Sequence, residues 1–331
     1  MKIKYGTAWG LCVLLSIMVF QGARASNSVF QGSTSFGTTT DEDIVQFPLS
    51  TVEGRLTLSS GTPVTTADVT GAGTLYFTPY KGNRMYLYDG TRWKLYSFSE
   101  ISTDLSTVLP GGIVSGNNYD VYVQDASGSL VLSVSSPWTN ATTRADALAL
   151  QDGVLVSSFD SAIRYVGTLR ASADDMTEDS VTKRFLWNYY NRAERKLFKA
   201  FADTSHTYGT NTWRPWKASN SERVEVVIGV AEDFIDVMAS ALCFAPAVHE
   251  YGVIGIDVDG TATNDADLVD ISITTAADFE RVFSHLKHYP AAGYHYYQAT
   301  EYASTTTNIT FYGTFGTPSL RRNGLVGSVE G

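Results

Sequence analysis

The sequence predicts an all-β fold, with an N-terminal antiparallel β domain followed by a C-terminal jelly-roll-like β-sandwich. Three observations predict it. Apolar runs are short and are bounded by Gly, Pro, Asn, Asp, Ser or Thr, as strands between turns are. Aromatic residues make up 12% of the 331 residues and charged residues only 18%, and aromatic and β-branched side chains suit a pleated surface. Turn signals recur between the runs along most of the chain, a pattern that argues for a sandwich or jelly roll.

The chain opens with an address. Lys2 and Lys4 precede an apolar run of ten at 11–20, and Ala23 and Ala25 stand at the −3 and −1 positions of a cut after Ala25. This predicts a secretory signal peptide over 1–25. The run falls short of the roughly 20 residues a membrane span needs, so no stable span is expected after cleavage. Residues 26–54 are rich in Ser, Thr and Gly and read as a flexible leader.

A β domain is expected over 55–200. Residues 55–58 alternate and meet a turn at 59–63, and 74–78 form a second strand that stops at Pro79. The clearest local signal is MYLY, then Asp89-Gly90, then TRWKLY at 91–96. Asp-Gly between two aromatic runs is a two-residue hairpin signature, and it would set Tyr86 opposite Trp93. Residues 119–124 and 130–134 read as a second hairpin around Asp125-Ala126-Ser127-Gly128. Residues 142–151 read as a short helix or turn, 154–156 and 163–169 as strands, and 185–198 as a strand leading into a connector.

The polar stretch 201–221 reads as a linker, and a β-sandwich is expected over 222–331. Runs at 224–230, 235–244, 251–258, 268–273, 295–302 and 309–312 are its strands. Residues 277–288 fit a helix or a strand about equally.

Charge excludes one class of partner. The net charge of −10 and the absence of a basic stripe exclude a chain built to wrap nucleic acid. Of the two cysteines, Cys12 falls in the signal. Cys243 is then alone, which rules out an internal disulfide framework and predicts a buried thiol.

Ile256-Asp257-Val258-Asp259-Gly260-Thr261 resembles the first motif of haloacid-dehalogenase-like phosphatases. Two carboxylates two residues apart at a strand end can share a metal. That family needs an alternating β/α chain with further motifs downstream, and the remainder here reads as β, so a strand ending in a polar turn is the plainer reading. The acidic run that follows, to Asp270, has oxygen ligands suited to Ca²⁺ but not the EF-hand spacing, and reads as a solvated loop. His285 and His288 are weak metal candidates for their spacing. No P-loop, nucleophile elbow or dinucleotide fingerprint occurs. No catalytic residue and no cofactor are therefore expected. Trp213 and Trp216, set in the polar stretch rather than on a strand, are the candidates for contact with a ligand.

A wider resemblance emerges from several segments together: 54–80, 83–98 with its YDG-x-x-W core, 119–121, 138–140, 144–154, 165–169 and 183–191. They resemble a module in uncharacterised structural proteins of tailed phages and prophages. The segments at 293–296, 311–313 and 324–327 are similar to the C-terminal β domain of those proteins. The resemblance implies a non-enzymatic virion appendage or decoration protein, of head-fibre, tail-fibre or spike type. It implies a homo-oligomer, with a trimer as the expected form, whose partners are other virion proteins or a cell-surface glycan. The signal peptide departs from that pattern, because virions assemble in the cytoplasm. A secreted bacterial surface or carbohydrate-binding protein is the second expectation.

Overall fold

Alternation of side chains decides which strands enclose the interior. In Ile235–Ala245 every second residue, from Ile235 through Val237, Ala239, Ala241 and Cys243 to Ala245, is buried. Period-2 burial puts one face of a strand in the core and the other toward solvent. A computed structural model of the chain describes residues 49–271, 278–304, 308–315 and 321–331. The signal peptide and most of the expected leader lie outside the described residues. Among the described residues the chain is strand and turn, with one three-residue 3₁₀ turn at Trp216–Ala218 and no α-helix.

Ile235–Ala245 is the centre of a seven-stranded sheet. Asp278–His288 pairs with it over eleven residues, so the helix alternative for that segment is ruled out. Along the other edge lie Gly324–Glu330 and then Ile309–Tyr312. Glu194–Ala200, Ser205–Tyr208 and Leu268–Val269 complete this sheet.

A second seven-stranded sheet is built on Gly293–Ala303. Arg223–Ile228 and Arg214–Pro215 pair along one of its edges, and Gly252–Val258 along the other. Lys183–Arg184 joins Arg223–Ile228 in parallel, followed by Thr177–Asp179 and Val69–Ala72. The inward faces of the two sheets share one core, where Val226, Ile254, Ile256 and Tyr297 meet Ile235, Val237, Val282 and Phe311. This is the expected β-sandwich. Each large apolar side chain buried there contributes about 1.5–3 kcal/mol.

The preceding strands enclose a second core, from Val52 to Leu186. It lies among a three-stranded sheet of Gly54–Thr57, Thr74–Pro79 and Ile101–Asp104, a six-stranded sheet centred on Arg164–Arg170, and a hairpin of Arg84–Tyr88 with Trp93–Ser97. Arg55 ties this part to the end of the chain. Its Nε donates to the Pro63 carbonyl (2.9 Å), its Nη1 to the Asn191 carbonyl (2.7 Å), and its Nη2 to the Gly331 carbonyl. Burial, with Arg195 nearby, pulls the Arg55 guanidinium down to about 10.

Three expectations are corrected. Residues 201–221 are not a linker: they contribute strands to both sheets, and Phe201, Tyr208 and Trp216 turn inward together with the side chains of Asp203 and His206. Leu49–Gly331 is accordingly one compact unit. Leu148–Gln151 is a strand, paired with Val154–Ser157 through a two-residue turn. Lastly, Trp93 faces Tyr88, not Tyr86. The Asp89 carboxylate accepts from the amides of Thr91 (3.0 Å) and Arg92 (2.9 Å), which stretches the loop to four residues.

Candidate functional site

The sandwich leaves one sheet face open. On the outer side of the 235–245 sheet, the residues that alternate with the core are Asp236, Met238, Ser240, Leu242 and Phe244. Their cross-strand partners on Asp278–His288 are Lys287, His285, Phe283, Arg281 and Phe279. Phe279 is 54% exposed, Phe283 41%, Met238 38% and the adjoining Val326 38%. A strand with apolar residues at both parities has something to cover on both sides, whereas a solvated outer face would be polar.

Aromatic pairs close this face at both ends. Phe244 and Phe279 have ring centroids 4.9 Å apart, and Tyr312 adjoins Phe279 at 5.6 Å. At the far end Phe234 stacks on Tyr289 at 3.7 Å, continuing the same ladder by one residue on each strand. Between them lie the charged groups. Asp236 holds His285 Nε2 at 3.0 Å and Lys287 Nζ at 3.8 Å, while Arg281 Nη1 donates to Ser240 Oγ and to Asn323 Oδ1, each at 2.9 Å.

The two tryptophans singled out by sequence part company. Trp216 is wholly buried. Its ring stacks on Phe201 at 4.1 Å, and its Nε1 donates to Asp203 Oδ1 at 3.0 Å. It cannot touch a ligand, because the segment that carries it folds into the core. Trp213 is half-buried and lies beside Tyr302 (5.2 Å), which is followed by Tyr251 in a nearly parallel stack (6.3 Å, 12°). The three rings make a row on the outer side of the 293–303 sheet. Gly255 permits it, since a Cβ there would come within 2.8 Å of the Trp213 ring.

The metal candidates are occupied by the protein itself. Asp257 is buried, and its Oδ2 accepts from the amides of Ala262 (2.8 Å) and Thr263 (2.7 Å). Asp259 turns the chain at a φ of 57°, accepts from the Tyr296 amide (2.9 Å) and meets His295 Nδ1 (2.7 Å). The two carboxylates therefore latch a loop onto antiparallel strands, a context unlike that of the phosphatase motif. Asn264 and Asp265 likewise spend side-chain oxygens on the Ile256 and Val258 amides. His285 faces outward to Asp236, whereas His288 lies beside Tyr297 at 5.8 Å. Among the described residues no group of three or more His, Cys, Asp or Glu is arranged to hold a metal. Cys243 is buried, and burial pushes its thiol up.

Sequence reasoning missed the open aromatic face. The signal was present in DFERVFSHLKH, where Phe279 and Phe283 fall on one parity and Val282 and Leu286 on the other. The helix alternative hid it, because that pattern is legible only at a period of two.

No family model matches the chain, and no curated protein matches it. Among solved structures it is similar to the insecticidal delta-endotoxin Cry8Ea1 from Bacillus thuringiensis, at 7% identity over 85% of this chain and 52% of that one, with a TM-score of 0.24. The chain thus spans about half the length of that toxin. It is also similar to a structure of infectious bursal disease virus, Gx strain, at 10% identity over 80% of this chain and 70% of that one, with a TM-score of 0.22. Neither likeness is close enough to say what this chain does.

Proposed function

We propose that this is a non-enzymatic protein that works by contact, a virion-appendage-like structural subunit that assembles with copies of itself. The open aromatic face of the 235–245 sheet carries the reading. Contiguous exposed apolar surface of this kind marks an interaction site. The strands of the face, two of them eleven residues long, cover about 700 Å² at ordinary strand rise and spacing. A stable interface takes about 800 Å² from each partner. The occupation of Asp257 and Asp259 by backbone amides and His295 supports the non-enzymatic part of the reading. Light scattering at micromolar concentration tests it: a multiple of the chain mass is expected, and a well-folded monomer overturns it.

A second reading is favoured by the row Trp213–Tyr302–Tyr251. Flat rings held against a sheet suit the apolar face of a sugar ring, so the protein on this reading is an exported surface protein that contacts a glycan. A glycan array separates the two, since the self-assembly reading needs no sugar.

A further inference from the structure

The strand register lays an aromatic row across the outer side of the 293–303 sheet. Arg214 pairs with Glu301, so Trp213, one residue earlier, falls opposite Tyr302. Val253 pairs with Tyr302 on the other edge, and Tyr251, two residues before it, faces the same side. The rings therefore repeat at close to the strand spacing of about 4.8 Å, with centroids 5.2 Å and 6.3 Å apart. Tyr302 and Tyr251 are within 12° of parallel, whereas Trp213 is turned 48° from Tyr302. The row thus turns as it crosses the sheet. Beside it stands a donor of fixed polarity. Asn264 Oδ1 accepts from the amides of Ile256 (3.0 Å) and Ala266 (3.3 Å), which identifies the oxygen and leaves Nδ2 with no hydrogen-bond partner among the described residues. That amide and the Trp213 ring adjoin, since both lie within 2.8 Å of the point where a Gly255 Cβ would stand. The charged residues next to the row in sequence are turned away from it. Arg214 Nε is spent on buried Glu301 (2.7 Å), and Glu250 is buried against Ser304 Oγ. Burial, Tyr251 and Tyr208 raise the Tyr302 hydroxyl, and none of them brings a full charge.

We infer that this row is a series of subsites for an uncharged, twisted hexose chain, with successive pyranoses on Trp213 and Tyr302 and the Asn264 amide donating to a hydroxyl of the sugar on Trp213. Aromatic faces with a few placed polar groups are the usual make-up of a small-ligand site. The absence of charge on the row selects a neutral sugar, and the exposed Asp265 on the adjoining loop opposes an acidic one. Spacing selects a sugar over a proline-rich peptide. A polyproline helix rises about 3.1 Å per residue with three residues per turn, so it presents the same side only about every 9 Å. The rings come at little more than half that interval, close to the length of one hexopyranose in a chain. The turn selects among chains. A flat, cellulose-type chain keeps its sugar planes aligned and meets Trp213 edge-on once it lies flat on Tyr302. A chain that rotates between residues, of the starch or laminarin type, can follow the 48° step.

This inference rests on the glycan-contact reading, and the experiment separates their failures. The full chain is titrated calorimetrically with maltohexaose, laminarihexaose and cellohexaose. At least one of the two twisted chains should bind about tenfold or more tighter than cellohexaose. Trp213→Ala should weaken that binding at least about tenfold. Asn264→Asp keeps an oxygen for the Ile256 and Ala266 amides and removes only the donor, so it should weaken binding about fivefold while the fold is unchanged. A role in holding the loop alone would leave affinity where it was. Circular dichroism reports folding for every variant. A protein that binds sugars on a broad glycan array, but holds neither twisted chain better than cellohexaose or keeps its affinity in Trp213→Ala, overturns the twisted row and leaves glycan contact standing. A folded protein that binds no sugar at millimolar concentration, or that takes a polyproline peptide in place of sugar, overturns both.

Discussion

His206 Nε2 lies 2.5 Å from Glu301 Oε2, inside the sandwich. Its Nδ1 lies 2.7 Å from Asp203 Oδ2. A neutral imidazole has only one N–H to donate, so two carboxylates at its two nitrogens require the doubly protonated ring. The rest of the network balances that charge: Arg214 Nε donates to Glu301 at 2.7 Å and Trp216 Nε1 to Asp203 at 3.0 Å. Burial by itself would lower the His206 basicity, but the bonds from Asp203 and Glu301 outweigh it and raise the group to about 8.

The sign of the pH dependence follows. His206 binds its proton more tightly folded than unfolded, so its contribution is complete below about 6.5 and is lost as pH rises through about 8. Urea denaturation between pH 6 and 9.5 should show stability falling across that window. Hydrogen exchange should place the loosening in residues 203–217, which carry Trp213. A flat profile over that range would remove His206 as the cause.

Asp203→Asn should erase that alkaline fall. The amide can donate to a neutral His206 while its oxygen still accepts from Trp216, so the ring no longer needs the second proton. In the acid range the same substitution removes a second dependence. Burial raises the Asp203 carboxyl, yet His206 and Trp216 overcome this and hold it below its ordinary value. Its contribution is therefore present above the ordinary carboxylate range and lost as pH falls below it. The variant's stability should be the flatter of the two at both ends.

The second buried pair tests packing in place of protonation. Arg144 Nε donates to Asp120 Oδ2 at 2.7 Å, its Nη2 to the Gly229 carbonyl at 2.6 Å, and its guanidinium lies 4.3 Å from the centre of the Trp138 ring. Asp120 is wholly buried. Arg144→Met should cost about 3–5 kcal/mol, because it strands a buried carboxylate. Adding Asp120→Asn should recover much of that loss, since the charge left behind is gone. Equal losses in the single and double variants, measured by urea denaturation, would show that the pair acts only through the shape of its side chains.

The contrast between these networks and the strands explains what was legible beforehand. The period-2 run 235–244 announced its strand because burial on one face writes itself into alternate residues, and the short apolar run 251–258, buried on both faces, announced its own by the turn residues that bound it. The His206 network did not, since its members come from three separate strands and the loop at Asp203, and nothing local to residue 206 marks Glu301. Trp216 failed for the same reason: polar neighbours at 211–217 suggested exposure, while its partners Phe201 and Phe311 lie elsewhere in the chain. The segment at Asp257 and Asp259 was read as a strand ending in a polar turn, and Asp257 lies in the strand while Asp259 turns the chain, although the amides they bind could not be named.

Turns show how little separates a right reading from a wrong one. Asp89-Gly90 and Asp152-Gly153 are the same dipeptide, yet only the second makes a two-residue hairpin, with φ of 50° at Asp152 and 82° at Gly153. The first is diverted because Asp89 captures two amides of its own loop. Gly153→Ala should cost about 1 kcal/mol through backbone strain alone, since a Cβ there meets nothing within 4 Å. Asp89→Ala should cost about 0.5–1 kcal/mol by freeing those amides. Thermal denaturation of the two variants would expose an error if Gly153→Ala proved neutral.

Gly255 is a different kind of glycine, and it gives a direct handle on the aromatic row. A Cβ at 255 would come within 2.6 Å of Thr300 Oγ1, 2.7 Å of Asn264 Oδ1 and 2.8 Å of the Trp213 ring. The backbone at Thr300 and Asn264 is fixed by the strand ladder and by the bond from the Ile256 amide to Asn264. Trp213, at the margin of the sheet, has room to swing outward. Gly255→Ala should therefore lift the Trp213 ring off the sheet and away from Tyr302. The expected readings are a red-shifted tryptophan emission, faster quenching by acrylamide, and a stability loss of about 1–3 kcal/mol from overpacking. Trp213→Phe in the same background should remove the spectral change and much of the stability loss, because the smaller ring clears the new methyl group. An emission spectrum unchanged by Gly255→Ala would mean that the sheet, not the indole, gives way, and the row would then be too loosely held to serve as a rigid platform.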